Sequence, residues 1–363
     1  MPRLFGKDYT RDEFLRHVGQ VSQVGNVREY RIQGGAADGV HATDVDTGSG
    51  LRFTVLPGRG MDISYASYKG IPLCWMSPAG EVSPWAYDPQ GMGWLRTFAG
   101  GLLTTCGLTH IHLPADEDGK HYGLHGRAST LIASNVHAGG DWKDDEYKLW
   151  VTGRTLESAL FDEQMQLQRT ISCTLGSASL RIDDVVTNVG FRSTPHVILY
   201  HINIGFPLLG PDTELVSPTI RAIPGDINPA DDCEGPYKFS SPRSNYPNTV
   251  FDHIAAADED GLVHVAIINR NLESGPLGMQ ISYRQAELPH LNEWKMLGLG
   301  EYVLGVEPAS AGFGSRDSAR KAGTMRYMEA GESVQYRVEI NILEGESEIS
   351  EFEERVKTIV ARA

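Results

Sequence analysis

Twelve histidines are spread along the chain, and four of them fall between Thr109 and His125. Imidazole titrates near neutral pH, so proton-transfer or metal chemistry is sought there first. In an extended strand His110 and His112 would face the same way, as two ligands of one metal do, with His121 or His125 to complete the set. The competing reading gives each ring a separate polar role. His125 is followed by Gly126, which lets a ligand or another backbone approach closely; a turn holding a surface histidine fits the same pair. His201 stands inside the apolar run from Val197 to Leu209. A polar ring there must be hydrogen-bonded or chemically employed. The alternative is a satisfied core histidine, and burial would depress its pKa unless a carboxylate faces it.

Glu307 ends the apolar run that begins at Tyr302, and Pro308 pushes it into an extended conformation. A carboxylate so placed can act as a general base, tuned upward by desolvation; a solvated strand end is the plainer reading. Arg59 and Asp62 stand three apart in a glycine-rich stretch and can pair around a tight turn. Arg96 lies two residues after Trp94, and Trp294 precedes Lys295. A cation beside an indole suits a sugar, with donors for hydroxyls and a flat face for C–H groups, although structural ion pairing competes for each. No GxSxG, phosphate-binding loop or GxGxxG opening a helix is present, which leaves serine-hydrolase and nucleotide-binding readings without support. The four cysteines, Cys74, Cys106, Cys173 and Cys233, form no CxxC pair and read as small buried hydrophobes in a reducing compartment.

The elements that must position these groups are mostly strands. Residues Val334 to Ile342 alternate apolar and polar without a slip, the pattern of a half-buried strand. Met165 to Leu175 alternates too, Gly176 to Ser179 makes a turn, and Leu180 to Val189 resumes, giving a hairpin. Further strands are expected at Leu51–Leu56, Lys148–Thr152, His196–Ile204, Leu262–Ile268, Met279–Tyr283 and Tyr302–Val306. Helical spacing is confined to the ends, at about 8–18 and about 348–361, the latter capped by Ser347 or Ser350. No βαβ alternation and no repeat is visible. The stretches Gly70–Gly93, Pro114–Gly123 and Pro218–Pro247 read as loop inserts on a sheet scaffold and not as domain boundaries. The expectation is a mainly all-β, large antiparallel sandwich, with residues 1–363 as a single domain.

Composition narrows the partners. A net charge of −15, from 32 Lys+Arg against 47 Asp+Glu, repels phosphate backbones and anionic bilayers. Nucleic acid and membrane are therefore not expected partners, and a strongly anionic substrate is disfavoured. No run of ~18 apolar residues would span a bilayer. The N-terminus lacks the apolar core of a signal peptide, so the cytoplasm is the expected compartment.

Together, LPGRGMDI (56–63), GGLLTTCGL (100–108), YGLHGRAS (122–129), TPHVILYHINIGFPLL (194–209), NEWK (292–295) and YVLGVEP (302–308) resemble the galactose mutarotase-like superfamily of aldose 1-epimerases. More closely, the chain resembles the branch known only as a domain of unknown function, DUF4432, over about residues 51–342. The resemblance implies a large antiparallel sandwich with a sugar cleft on one concave face, and Glu307 as general base at the anomeric hydroxyl. It makes His201 the acid at the ring oxygen, with His125 and Arg96 holding the sugar. Arg59, Asp62, Trp294 and Lys295 are additional substrate-binding candidates. The context of His201 departs from the Asn-His-x-Tyr-Phe-Asn-Leu usual in mutarotases. The family's substrate-binding Asp has only Asp226, Asp231 and Asp232 as neighbourhood candidates. The implied reaction is anomer interconversion, which needs one proton removed and one delivered and no cofactor. Trp94, Trp294 or Tyr302 would supply a stacking wall. The expected partner is a small-molecule sugar, with a homodimer left open. Two other readings stay open: a sugar epimerase or isomerase acting beside a carbonyl, with His110, His112 and Lys295 and a divalent metal, and a non-catalytic sugar-binding protein.

Overall fold

The alternating segments pair into three principal antiparallel sheets. The computed structural model describes residues 1–117, 119–225, 234–314, 316–321 and 323–363. An eight-stranded sheet runs, edge to edge, through Ser134–Lys143, Glu146–Ser158, Gln164–Thr174, Ser179–Asn188, Ser333–Glu344, Leu277–Arg284, Leu262–Asn269 and Thr213–Val216. A six-stranded sheet runs through Thr219–Pro224, Thr249–Ala255, His290–Gly298, Glu301–Ala309, Val197–Ile204 and Thr104–Leu108. A five-stranded sheet, Asn26–Arg31 to Ile71–Pro72, adjoins them, with Ile63 bridged to Leu103. The fold is a large antiparallel β-sandwich.

Strand parity explains why the sheets stack. Side chains alternate faces along a strand, so Gln164–Thr174 sends Met165, Leu167 and Ile171 into the core while its even positions after the exposed Gln164 are half-buried. The strand Val197–Ile204 is buried at every position, because both of its faces are covered. Ile198, Tyr200, Ile202 and Ile204 join the central core with Val186, Ile281 and Val338. The odd positions turn the other way.

A charged network crosses this core. Arg169, wholly buried, forks onto Asp184 at 2.9 and 2.6 Å and donates to Thr105 Oγ1 at 2.7 Å. Tyr200 donates to the same Asp184 at 2.6 Å. Nearby, His196 bonds the Leu108 carbonyl oxygen through Nδ1 and the Tyr336 hydroxyl through Nε2.

Helix is scarce. Near the N-terminus only Arg11–Leu15 is α-helical, shorter than the expected 8–18, and Thr10 and Glu13 close it as a capping box. The C-terminal helix spans Gly345–Arg362. It begins before Ser347 and Ser350, so neither caps it; the Glu344 amide donates to Glu348 Oε2 instead. Ile349, Phe352 and Val356 cover Ala266, Ile268 and Leu343 on the sheet's outer face. The loop Pro114–Gly123 contains a small hairpin, Ala115–Glu117 with Lys120–Tyr122. Cys74, Cys106 and Cys173 are buried free thiols, and Cys233 lies outside the described residues. Among the described residues no helix is long and apolar enough to cross a membrane.

Candidate active site

Cross-strand register assembles the site. Asp252 pairs with Asn292, and Asn292 with Glu307. Pairing of Val306 with Ile202 then sets His201 beside Glu307. Asp252, Asn292, Glu307 and His201 thus form one row across the six-stranded sheet, on the face turned away from the core. The next row is Val250, Trp294 and Gly305; the row after it contains Met296 and Val303. A cavity of about 980 Å³ opens over this face.

His201 and Glu307 lie at its floor, 4% and 2% exposed. His201 Nε2 stands 3.2 Å from Glu307 Oε1, yet neither Glu307 Oε1 nor His201 Nδ1 has a hydrogen-bond partner. Two buried polar atoms are therefore left for something else to satisfy. Burial holds the Glu307 carboxyl well above its ordinary value, with Glu293 adding to the effect. Burial also pushes His201 down to about 3. Both directions favour a pair carrying one shared proton and no net charge.

Rings enclose the pair. Phe98, Trp294 and His125 lie 5.2, 5.4 and 5.6 Å from the His201 ring. His125 sits at φ 56°, held in a tight turn where its amide reaches the His112 carbonyl at 2.9 Å. Its Nδ1 accepts the His112 amide at 3.4 Å. That places the proton of the neutral ring on Nε2, a donor. Burial, followed by the proximity of His201, keeps its pKa well below the ordinary value.

The structure brings together some of the predicted site residues and disperses others. His125, His201, Glu307, Trp294 and Trp94 border the cavity, and so does His112. Arg96 does not: it closes the 3₁₀ turn Gly93–Arg96 with Trp94 turned inward and its own side chain exposed. Arg59, 2% exposed, spends its guanidinium on the carbonyls of Val82 and Thr97. Asp62 accepts the Thr105 amide at 2.9 Å and lies 3.7 Å from Arg169, on the core side. Lys295 is fully buried on the face opposite Trp294, donating to the carbonyls of Gly235 and Lys238. Tyr302 also points to the core side and bonds the Ser240 carbonyl.

His110 and His112 are not in a strand, and His112 has φ 66°. Their rings diverge: His110 bonds the Leu113 carbonyl, while His112 stacks on Phe313 and contacts Asn292 Nδ2 at 3.2 Å. Among the described residues no three His, Cys, Asp or Glu side chains converge as a metal site would need. Asp226, Asp231 and Asp232 lie outside the described residues.

Sequence reasoning passed over Asp252, Asn292, Arg316 and Trp75. Asp252 borders the cavity, bonds His290 Nδ1 at 3.1 Å through Oδ2, and leaves Oδ1 buried without a partner. Arg316 also borders it, with its guanidinium engaged by Glu117 at 3.0 Å and by the Thr109 carbonyl. Only register connects Asp252 to Glu307, and no local pattern marks Arg316.

Ser282, His264 and Asp258 form a hydrogen-bonded chain on the outer face of the eight-stranded sheet, with links of 2.9 and 2.8 Å. Acyl transfer also needs N–H donors aimed at a developing oxyanion. Ser282 sits mid-strand, paired with His264 on one side and Glu339 on the other, where the backbone is committed to the ladder. The chain reads as a satisfied polar cluster.

A model of the family described as "Domain of unknown function (DUF4432)" matches residues 37–342. Among solved structures, a candidate aldose 1-epimerase from Klebsiella pneumoniae subsp. pneumoniae MGH 78578 aligns with a TM-score of 0.84 at 25% identity, over 92% of this chain and 87% of that one. A galactose mutarotase-like protein from Clostridium acetobutylicum aligns with a TM-score of 0.58 at 13% identity, over 87% and 98% of the two chains. A galactose 1-epimerase from Lactobacillus acidophilus NCFM aligns with a TM-score of 0.52 at 10% identity, over 88% and 99%. The last two likenesses speak to the fold alone. No curated protein matches the chain.

Proposed function

The chain belongs to the DUF4432 family, and from that premise we propose that it is a carbohydrate-active isomerase, an aldose 1-epimerase that interconverts sugar anomers. The observation that carries this reading is the contact between two buried, partner-poor groups, His201 and Glu307, at the floor of an aromatic-walled cavity.

The chemistry follows from one shared proton. The two oxygens exchanged in anomerisation, O1 and the ring oxygen, are bonded to the same carbon, so adjacent groups on neighbouring strands can serve both. Burial leaves the shared proton on Glu307 at rest; once it passes across the contact to His201, Glu307 takes the O1 proton while His201 protonates the ring oxygen. The C1–ring oxygen bond breaks, the aldehyde turns about C1–C2, and closure on its other face returns both protons. Glu307 as base and His201 as acid exchange roles on closure. Desolvation raises the Glu307 carboxyl and lowers His201, so both groups resist carrying charge in the closed site. His125 donates from Nε2 to a sugar hydroxyl, Asp252 Oδ1 accepts from another, and Trp294 and Trp75 face the ring's C–H groups.

The test is exchange spectroscopy between anomers on a panel of reducing sugars. Glu307→Gln keeps shape but cannot take a proton, and should cost ~10²–10⁴-fold in kcat with sugar binding retained; His201→Asn should fall comparably. The wild-type rate should trace a bell in pH, because the pair loses activity on gaining a second proton at low pH and on losing its one proton at high pH. A Glu307→Gln protein exchanging anomers at the wild-type rate sinks this mechanism.

A further inference from the structure

The cavity is longer than one sugar ring. It runs over the Glu301–Ala309 strand from Glu307 to Glu301. Six residues at ~3.3 Å each make this roughly 20 Å. A pyranose is two C–C bonds across with a C–O bond at each side, roughly 6 Å on bonds of ~1.5 Å. With O1 and the ring oxygen on the Glu307–His201 row, a single ring therefore ends about one row further on. The walls are apolar along this length: Ile223 stands level with Asp252, Val250 and Trp294 form the next row, and Met296 lies in the row beyond the single ring. The volume of about 980 Å³ stands at the top of the ~300–1,000 Å³ range for small-molecule sites.

Charge narrows the occupant further. The carboxylates bordering the cavity are Asp252, Glu301 and Glu307, and the one cationic side chain among the described residues there is Arg316. Its guanidinium is already held by Glu117. A phosphate or carboxylate on the sugar would meet carboxylates with no uncommitted cation among the described residues to offset them.

We propose that the substrate is an uncharged reducing sugar of at least two rings. Its reducing ring lies over Glu307 and His201 and reaches Trp294, and its second ring lies over Met296 towards Glu301. This rests on the isomerase reading above. The Met296 thioether suits the C–H side of the second ring, and the Glu301 carboxylate accepts one of its hydroxyls.

Anomer exchange measured by NMR on glucose, galactose, cellobiose, maltose, lactose, glucose 6-phosphate and glucuronate tests this directly. At least one disaccharide should show kcat/KM ten-fold or more above that of glucose, and the two anionic sugars should fall below glucose. Met296→Ala should shrink the disaccharide-to-glucose ratio several-fold, with a circular dichroism spectrum and melting temperature like those of the wild type reporting that the fold is intact; an unchanged ratio in the folded variant overturns the second-ring site. Glucose or an anionic sugar matching every disaccharide overturns the two-ring substrate and leaves the isomerase standing. Exchange of no sugar overturns both.

Discussion

Gly305 faces the cleft two residues before Glu307, and its missing side chain is what lets the carboxyl lie flat. A Cβ there would come 2.4 Å from Glu307 Oε1 and 3.1 Å from Trp294 Cβ. Gly305→Ala should therefore tilt the carboxyl off His201. Since a misplacement of ~1 Å can cost ~10²-fold, kcat should fall by about that factor with KM little changed. The pH bell should also shift as the pair uncouples. A merely structural defect would lower the amount of active enzyme and leave the profile alone. The same parity decides which site residues are legible in a sequence. Trp294 and Lys295 are neighbours, so on a strand they cannot both face the cleft; Lys295 lies under Phe239 and Phe251 instead. His125, His201 and Glu307 are legible because each sits in a distinctive local motif. Asp252 and Arg316 are not, because nothing local signals a position that only the register of distant strands makes relevant.

At the scale of elements, the strands are legible wherever one face is wet and the other buried. Leu51–Leu56 is reproduced end to end, and Val334–Ile342 is the inner part of Ser333–Glu344. Val197–Ile204, buried on both faces, has no period to read and is recognised by its apolar composition. The paired histidines between Thr109 and His125 mislead for the opposite reason: alternation suggests a strand, but the chain turns at His112 and His125. Where this segment meets the next strand, His196 is held neutral, its pKa pushed down to about 4 by burial against an ordinary 6.5. As pH falls the unfolded chain takes that proton first, so the contribution is intact above about 6.5 and drains away towards 4. Gln at this position cannot titrate. The stability gap between wild type and His196→Gln should thus narrow by up to about 1.4 kcal/mol per pH unit across that window. Urea unfolding at several pH values measures it, and a gap independent of pH refutes it.

Across the whole molecule, the cleft and the C-terminal helix lie on opposite outer faces of the sandwich. Phe352, 2% exposed, fills the space between helix and sheet, and Phe352→Ala should cost ~3–5 kcal/mol of stability. Anomer exchange at temperatures where the variant is folded should be unchanged, since nothing in the cleft touches that helix; a fall in kcat would disprove this separation. Overall architecture is the most legible level, because the scarcity of helical periods leaves few ways to bury so many alternating strands. The relative setting of the two large sheets is the least legible, because the Arg169–Asp184 pair of one hairpin meets Thr105 and Tyr200 of the other sheet only in the finished core. That network acts like a bolt through two plates. Tyr200 is its end on the six-stranded sheet, and the next residue, His201, faces the cleft on the other side of the same strand. Loosening the bolt lets one plate shear over the other before either comes apart. Tyr200→Phe, lacking the hydroxyl that Asp184 holds, should therefore lose half its activity on heating at a temperature clearly below its own melting point. The wild-type protein should stay active until it melts. Coincident midpoints in the variant would mean that the plates are fastened elsewhere.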